Sequence, residues 1–188
     1  MAFDIDRSLR RLKPGKRTVR LAYRRPSALP FVDAGTPPAR NLLLDTTVYI
    51  HAGEGRLAPP TQAFLAASQA HHCIVCLGEL ALALGYLDPR HPGARAAASY
   101  LTDVLRRAPA HRIVAPDDDA CMEASIATGI LSRKQNVAAA DRRRLLNDAL
   151  IAATALKNGL VLLTANVADF DLLSQLQPAT RVLYYVPI

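Results

Sequence analysis

The sequence predicts an α/β protein, with three α/β/α layers built on a parallel sheet of four or five strands. The first observation is that short runs that are apolar throughout alternate with longer segments whose apolar residues recur at helical spacing. The second is that these runs lack the polar alternation of half-exposed strands, which is typical of parallel sheets covered by helices on both faces. The 188 residues, 51% of them hydrophobic, are enough for one well-packed domain.

The predicted elements follow one another after an N-terminal arm. Strands are predicted over 41–45, 72–76, 111–116, 160–164 and 181–186, and helices over 60–70, 78–87, 94–107 and 141–158. A further helix begins around the acids at 117–119, because negative side chains favour the positive end of the helix dipole. Gly159 ends the longest helix, as glycine commonly does after the last helical turn.

The first 40 residues form a basic, proline-interrupted N-terminal arm, followed by a domain over 41–188. The arm contains ten Arg or Lys and three Asp, which accounts for the whole net charge of +7, since the other residues hold 13 basic and 13 acidic side chains. Its five prolines predict an extended or partly disordered segment. Such an arm either contacts a polyanion such as RNA, or is a solvated tail or packs on a partner subunit.

Composition disfavours several protein classes. No apolar stretch reaches the roughly 18 residues of a membrane span, and the N-terminus lacks the apolar core of a secretory signal, so a cytoplasmic protein is expected. The three cysteines are too few for a disulfide framework. His71, His72, Cys73 and Cys76 are zinc-ligand types, but on a strand the two cysteines would face opposite sides, and no second pair completes four ligands.

Three acids lie at or near the carboxyl ends of the predicted strands. Asp45 ends the first strand and Glu79 follows the second. The helix carrying Asp148 precedes another strand, which is followed by Asn166 and Asp169. In an open parallel sheet, ligands bind outside the carboxyl ends of the strands. We therefore expect these side chains to meet at one edge of the sheet.

Each acid also has a purely structural interpretation. Asp45 could cap a helix, and Glu79 could lie in the first turn of a helix, where an acid interacts favourably with the positive end of the helix dipole. Asp148 could form an exposed ion pair with Arg144, but its neighbours on the same side of the helix are all apolar: Leu145, Ile151, Ala152 and Ala155. An unpaired carboxylate there is costly, and a divalent cation would remove that cost.

Clustered carboxylates with few histidines predict a site for Mg²⁺ or Mn²⁺ rather than zinc. Such ions bind substrate phosphates and activate water, so the predicted chemistry is metal-assisted hydrolysis of a phosphodiester. Arg142, Arg143 and Arg144, shortly before Asp148, either bind RNA phosphates or form the solvated start of a helix. A phosphatase with a paired-aspartate nucleophile is disfavoured because position 47 is Thr.

Four segments together resemble the PIN-domain ribonucleases, most closely the toxins of the VapC type: LLLDTTVYI (42–50), CLGELA (76–81), NDALIAATA (147–155) and LLTANVADF (162–170). The resemblance covers residues 41–186 and leaves the arm outside. It implies that Asp45, Glu79 and Asp148 hold Mg²⁺ or Mn²⁺. It also implies that Asn166, neutral here, takes the family's fourth polar position and orients the attacking water or a ligand.

The resemblance further implies an endoribonuclease that cuts structured RNA and is the toxin of a toxin–antitoxin pair. A small antitoxin protein would silence it by inserting a segment into the site, and the toxin would form a homodimer. Thr46 and Asp169 would support the site from just outside the metal's ligands. The rival hypothesis is a noncatalytic RNA-binding or scaffold protein that retains the fold. The neutral Asn166 favours this rival, whereas the three acids favour the nuclease.

Overall fold

Five strands form one parallel sheet in this computed structural model, which describes residues 3–188. The strands are β1 Leu42–Leu44, β2 Ala70–Cys73, β3 Ile113–Val114, β4 Val161–Thr164 and β5 Arg181–Tyr184. Their order is β3-β2-β1-β4-β5 and every pairing is parallel, which confirms the predicted fold class. The three leucines of β1 are buried, as expected for a central strand whose two faces are both covered.

Eight α-helices flank the sheet within residues 3–188. They are α1 Ile5–Leu12, α2 Thr46–Gly53, α3 Pro59–Ala67, α4 Ile74–Tyr86, α5 Ala94–Arg107, α6 Asp118–Gln135, α7 Arg142–Lys157 and α8 Val167–Leu176. Helices α2, α4 and α5 pack on one another, and so do α1, α6, α7 and α8. Because crossovers between parallel strands are right-handed in nearly all proteins, this strand order places the two groups on opposite faces of the sheet. None of these helices is long and apolar enough to span a membrane.

The strand order creates a crevice at the centre of the sheet. From β1 the chain proceeds outward to β2 and β3, and it then returns to β4 on the other side of β1. Leu44 of β1 pairs with Leu163 of β4, so the two strands end side by side, just before Asp45 and at Thr164. Doubly wound sheets bind ligands at such a reversal, which we call the switch point.

The second strand is shorter than the predicted 72–76. It ends at Cys73, the N-cap of α4, and α4 begins at Ile74, because a short apolar run does not by itself distinguish a buried strand from a buried helix. Two expectations are therefore wrong. Glu79 lies in the second turn of α4 rather than the first, and Cys73 and Cys76 lie together at the start of the helix, both buried, rather than on opposite faces of a strand.

Two short helices at the ends of strands were not predicted. Asp45 is the N-cap of α2, and Asn166 is the N-cap of α8. Each helix therefore begins within three residues of the end of a sheet strand, and the residue that caps it is one of the predicted site residues. The caps direct these side chains toward the switch point.

The N-terminal arm packs against its own domain. Helix α1 lies on α6, and Leu12 is fully buried. Further along, Val32 N donates to Tyr184 O at 2.7 Å and Tyr184 N donates to Pro30 O at 2.8 Å, so the arm covers the exposed edge of β5. The expectation of an extended or partly disordered arm is therefore wrong for residues 5–12, since burial of one helix face stabilises them.

Candidate active site

Asp45 lies at the switch point and is only 2% exposed. Its carboxylate caps α2 through a long contact with Thr47 N, at 3.4 Å. Its Oδ2 atom accepts shorter hydrogen bonds, each of 2.7 Å, from the hydroxyls of Thr47 and Thr164. Both interpretations of Asp45 therefore apply, because it caps a helix and also presents a buried carboxylate at the sheet edge.

Glu79 reaches the same edge from α4. Its Oε2 atom accepts from the hydroxyl of Thr46, the residue that follows Asp45. Its Oε1 atom accepts from Asn147 Nδ2 at 2.7 Å, and Asn147 immediately precedes Asp148. Glu79 therefore bridges the two segments that carry the other acids.

Asp148 is 7% exposed on α7 and is held by an amide rather than by a cation. Asn166 Nδ2 donates to Asp148 Oδ2 at 3.2 Å and to Asp169 Oδ2 at 3.0 Å. Arg144 binds Asp169 instead of Asp148, with an N–O distance of 2.7 Å. The interpretation of Asp148 as half of an exposed ion pair with Arg144 is therefore wrong.

The side chains of the site form a closed ring, in which each member either hydrogen-bonds to the next or adjoins it in sequence. In order, the members are Asp45, Thr164, Asn166, Asp148, Asn147, Glu79 and Thr46. The link from Thr164 to Asn166 is a 2.9 Å hydrogen bond from the backbone N–H of Asn166 to the threonine hydroxyl. All donors in the ring are hydroxyls or amides, so the ring itself contains no positive charge to offset its three carboxylates.

Burial raises the pKa of two of these carboxyl groups, and nearby acids raise that of Asp148 further. Burial raises the pKa of Asp45, although the hydroxyls of Thr47 and Thr164 act in the opposite direction. Burial is also the main cause that raises the pKa of Asp148 to about 9, with a further contribution from the negative charges of Asp45 and Asp169. Asp148 therefore retains a proton at neutral pH unless positive charge enters the site.

The side chains of the ring fit a hard divalent cation. Oxygen is the only ligand element that the acids offer, and a cation would neutralise the charge that crowds them. Within residues 3–188, no three acidic, His or Cys side chains converge closely enough to enclose an ion as they stand. The acids point toward threonines and asparagines instead, so a cation would have to exchange some of these hydrogen bonds for metal contacts.

The remaining predicted residues lie at the rim of the ring. Asp169, in the first turn of α8, contacts both Asn166 and Arg144. The Arg144 side chain is 60% exposed, so its guanidinium faces solvent as well as Asp169. Arg142 and Arg143 are exposed at the start of α7, and within residues 3–188 their side chains form no hydrogen bond or salt bridge with the ring.

Three residues that hold the acids were not predicted to be site residues: Thr47, Asn147 and Thr164. Thr164 carried a signal, since it is the polar end of an otherwise apolar strand. Thr47 also carried one, because a residue two positions after an N-cap acid commonly bonds to it. Asn147 had none, because its partner Glu79 lies 68 positions away in the sequence.

A cleft of about 360 Å³ opens beside Glu79, between α2, α4 and α5. Its walls are mainly apolar and include Ile50, Leu80 and Tyr100, whereas Thr46 and Glu79 form a polar end. The candidate site is therefore accessible from the face of the sheet that carries these three helices.

Comparisons with known proteins identify the fold. The family model described as the PIN domain matches residues 42–173, more than half of the chain. One similar solved structure is VapBC2 from Rickettsia felis bound to a DNA fragment from their promoter, at 16% identity and a TM-score of 0.55, covering 77% of this chain and 98% of that chain. Another is DNA-bound VapBC from Salmonella typhimurium, at 18% identity and a TM-score of 0.55, with the same coverage of 77% and 98%.

A third similar structure is VapBC-5 from Mycobacterium tuberculosis, a member of the VapBC family of toxin–antitoxin systems. It is 21% identical with a TM-score of 0.52, and the match covers 80% of this chain and 100% of that chain. At these identities the likeness is one of fold. No curated protein matches the sequence.

Proposed function

This chain belongs to the PIN domain family, and from that premise we propose that it is an Mg²⁺- or Mn²⁺-dependent endoribonuclease and the toxin of a toxin–antitoxin pair. The observation that carries the proposal is the ring at the switch point. Two buried acids and one half-buried acid meet there, and their hydrogen-bond donors within the ring are all neutral. A structural cluster of acids is normally neutralised by the protein itself, whereas a cation-binding cluster leaves that charge for its ion.

The residues of the ring have distinct roles in this proposal. Asp45, Glu79 and Asp148 would hold the cation, which when bound activates a water for attack on phosphorus and offsets charge in the transition state. Thr47 and Thr164 keep the buried carboxylate of Asp45 oriented. Asn166 would orient the attacking water or a ligand through the amide that holds Asp148 and Asp169.

Substrate RNA would approach over the rim of the site. Arg144 supports this direction, because its exposed guanidinium lies beside Asp169 and can exchange that carboxylate for a phosphate. Arg142 and Arg143 would extend the same contact along the RNA backbone. Thr46 and Asp169 would act outside the metal's ligands, by holding Glu79 and Arg144 respectively.

A small antitoxin protein is the proposed partner, and we place the pair in the cytoplasm with the toxin as a homodimer. The similarity to VapBC-5, from a family of toxin–antitoxin systems, supports this partner. The apolar cleft beside Glu79 also supports it, because an antitoxin segment that filled the cleft would end beside the carboxylates.

The rival function is a noncatalytic RNA-binding protein that keeps the fold. Asn166 favours it, since a neutral residue at the fourth polar position adds no charge to attract a cation. The rival expects RNA to bind without being cut at any concentration of Mg²⁺ or Mn²⁺.

Cleavage of total tRNA by the purified protein decides between the two functions. We expect cleavage in Mg²⁺ or Mn²⁺, none in EDTA, and none by Asp45→Asn purified in parallel. The matched control is Asp103→Asn, because Asp103 is an exposed aspartate on α5 whose loss should leave cleavage unchanged. Cleavage that persists in Asp45→Asn would contradict the proposed site, and RNA binding without any cleavage would establish the rival.

A further inference from the structure

A basic surface lies along the N-terminal arm, outside the candidate site. We call it the arm surface and define it by seven cations: Lys13, Lys16, Arg17, Arg20 and Arg25 of the arm, and Arg133 and Lys134 at the end of α6. Within residues 3–188, none of the seven forms a salt bridge. No carboxylate in the described part of the chain therefore pairs directly with any of these cations.

Neutral groups hold several of these cations in place. Arg133 Nη2 donates to the carbonyl of Pro14 at 3.0 Å, and Lys134 Nζ donates to the carbonyl of Thr18 at 2.6 Å. Arg20 Nε donates to the side-chain oxygen of Gln135 at 2.8 Å. These hydrogen bonds order the cations without cancelling their charge, which is the arrangement that a pre-formed polyanion site requires.

Helix α8 links the arm surface to the candidate site. Its first turn carries Asp169 at the rim, and its later turns hold the arm, because Gln175 Nε2 donates to Ala22 O at 3.0 Å and Arg17 Nη2 donates to Leu176 O at 3.5 Å. At about 1.5 Å per residue, Asp169 and Leu176 lie about 10 Å apart along the helix. The arm surface therefore begins within a few nucleotides' reach of the carboxylates.

An exposed aromatic side chain lies within the same segment. Tyr23 is 59% exposed and is followed in sequence by Arg24 and Arg25. Aromatic rings between cations are characteristic of surfaces that bind single-stranded nucleic acid, because every base can stack on such a ring while the cations bind phosphates.

We propose that the arm surface binds the backbone of unpaired RNA on one side of the scissile bond, and that Tyr23 stacks on one of its bases. That this RNA is the substrate rests on the proposed nuclease function. The arm would then be the part of the chain that extends RNA contact beyond the rim of the site. Because the charge is spread over an ordered arm, the contact is to phosphates and reads no sequence.

The test compares two triple variants that both lower the net charge from +7 to +4. The arm variant is Lys16→Gln/Arg20→Gln/Arg25→Gln, and the matched control is Arg95→Gln/Arg106→Gln/Arg107→Gln on α5, across the sheet. Fluorescence anisotropy with a labelled unpaired RNA oligonucleotide, in EDTA and over a range of salt, gives the affinity. We expect the arm variant to bind on the order of tenfold more weakly, with a slope of log Kd against log salt lowered by about 2, and the control to bind nearly as wild type does.

A charge-conserving variant, Lys16→Arg/Arg20→Lys/Arg25→Lys, separates loss of charge from loss of fold and should keep the wild-type affinity. Tyr23→Ala should weaken binding of unpaired RNA several-fold, whereas Tyr23→Phe should not. Equal effects of the arm and control variants would overturn the proposal, and so would tighter binding to phosphatidylglycerol vesicles than to RNA. Because EDTA prevents metal-dependent cleavage, the anisotropy measurement reports binding alone, so failure of this proposal leaves the cleavage test independent.

Discussion

The described structure buries four carboxylates, and it treats them in two different ways. Glu123 and Asp171, on the side where the arm packs, are each 1% exposed and each pairs with an arginine of the arm. Arg11 binds Glu123 with an N–O distance of 3.1 Å, and Arg24 binds Asp171. Asp45 and Asp148, at the switch point, have no such partner and receive hydrogen bonds from Thr and Asn side chains.

The difference separates a structural acid from a candidate ligand. A buried carboxylate that only stabilises the fold is most stable beside a fixed cation, because an unpaired buried charge costs several kcal/mol. The arm supplies such a cation to Glu123 and to Asp171, whereas neither Asp45 nor Asp148 at the switch point has one. The acids of the switch point therefore retain their capacity to bind a positive charge from outside the chain.

The largest expected difference between the switch-point acids, Asp45 and Asp148, and the arm-paired acids, Glu123 and Asp171, is in catalysis. Asp148→Asn should lower RNA cleavage by at least about 100-fold while the protein stays folded, because it removes one proposed ligand of the cation. Asp171→Asn should leave cleavage per folded molecule nearly unchanged. Single-turnover cleavage, normalised to the folded fraction from circular dichroism, measures both. A loss of activity in the folded Asp171→Asn protein as large as that of Asp148→Asn would remove the distinction.

The next largest effect is a loss of stability, and we expect it when an arm-paired acid loses its arginine. Arg11→Met leaves Glu123 buried with Gln177 as its remaining partner, so we expect a loss of about 3 kcal/mol in the free energy of unfolding by urea. Arg142→Met, which removes an exposed arginine from α7, is the control and should change stability by less than about 0.5 kcal/mol. Similar stabilities for both variants would show that the arm's ion pair contributes little.

At the switch point, loss of an acid should instead stabilise the metal-free protein. Folding raises the pKa of Asp148 from 3.8 to about 9. Below about pH 4 its carboxyl is protonated in both the folded and the unfolded protein and costs no folding free energy. As the pH rises toward 9, the group ionises only in the unfolded protein, which destabilises the fold increasingly. Asp148→Asn removes this cost, and we expect a gain of about 2 kcal/mol at pH 8 that vanishes near pH 4. Urea unfolding in EDTA at both pH values measures the gain. If Asp148→Asn were less stable than the wild type at pH 8, the claim that the ionised Asp148 destabilises the metal-free protein would be wrong.

The smallest expected effect is stabilisation by the cation itself. Mn²⁺ at about ten times its dissociation constant should stabilise the wild-type protein by about 1.4 kcal/mol, and therefore raise its Tm. Asp148→Asn should show little or no increase, whereas Asp171→Asn should show the wild-type increase from its own lower starting Tm. An identical Mn²⁺ response in all three proteins would place the cation elsewhere.

Much of the fold followed from local patterns. The apolar runs around Leu42–Leu44 and Val161–Thr164 predicted central parallel strands, because residues buried on both faces need no polar alternation. The boundary at Cys73 was missed because a buried strand and a buried helix have the same composition over a few residues. Helix α1 was missed although Asp4 caps its start and Arg10 and Arg11 lie in its last turn, because the prolines and the charge of the arm favoured an extended segment.

The site was predictable where an acid ended a strand and not where a partner was distant in sequence. Asp45, Glu79 and Asp148 were expected to meet from the strand-end rule, and the ring links all three. Which arginine pairs with which acid was not predictable, since Arg144 reaches Asp169 across 25 positions while Asp148 lies only one turn away. The arm's contacts with Glu123 and Asp171 also depend on the complete fold, because they join residues more than 100 positions apart.

The most direct test of the central claim is anomalous diffraction from a crystal soaked in Mn²⁺. We expect one strong peak at the switch point, at about 2.0–2.2 Å from carboxylate oxygens of Asp45 and Asp148, with Glu79 turned toward it. The hydrogen bonds from Asn166 and Thr46 should lengthen or rearrange as the acids rotate onto the ion. A peak only at the acids of 117–119, or no peak at the ring at saturating Mn²⁺, would contradict the assignment of these three acids as metal ligands.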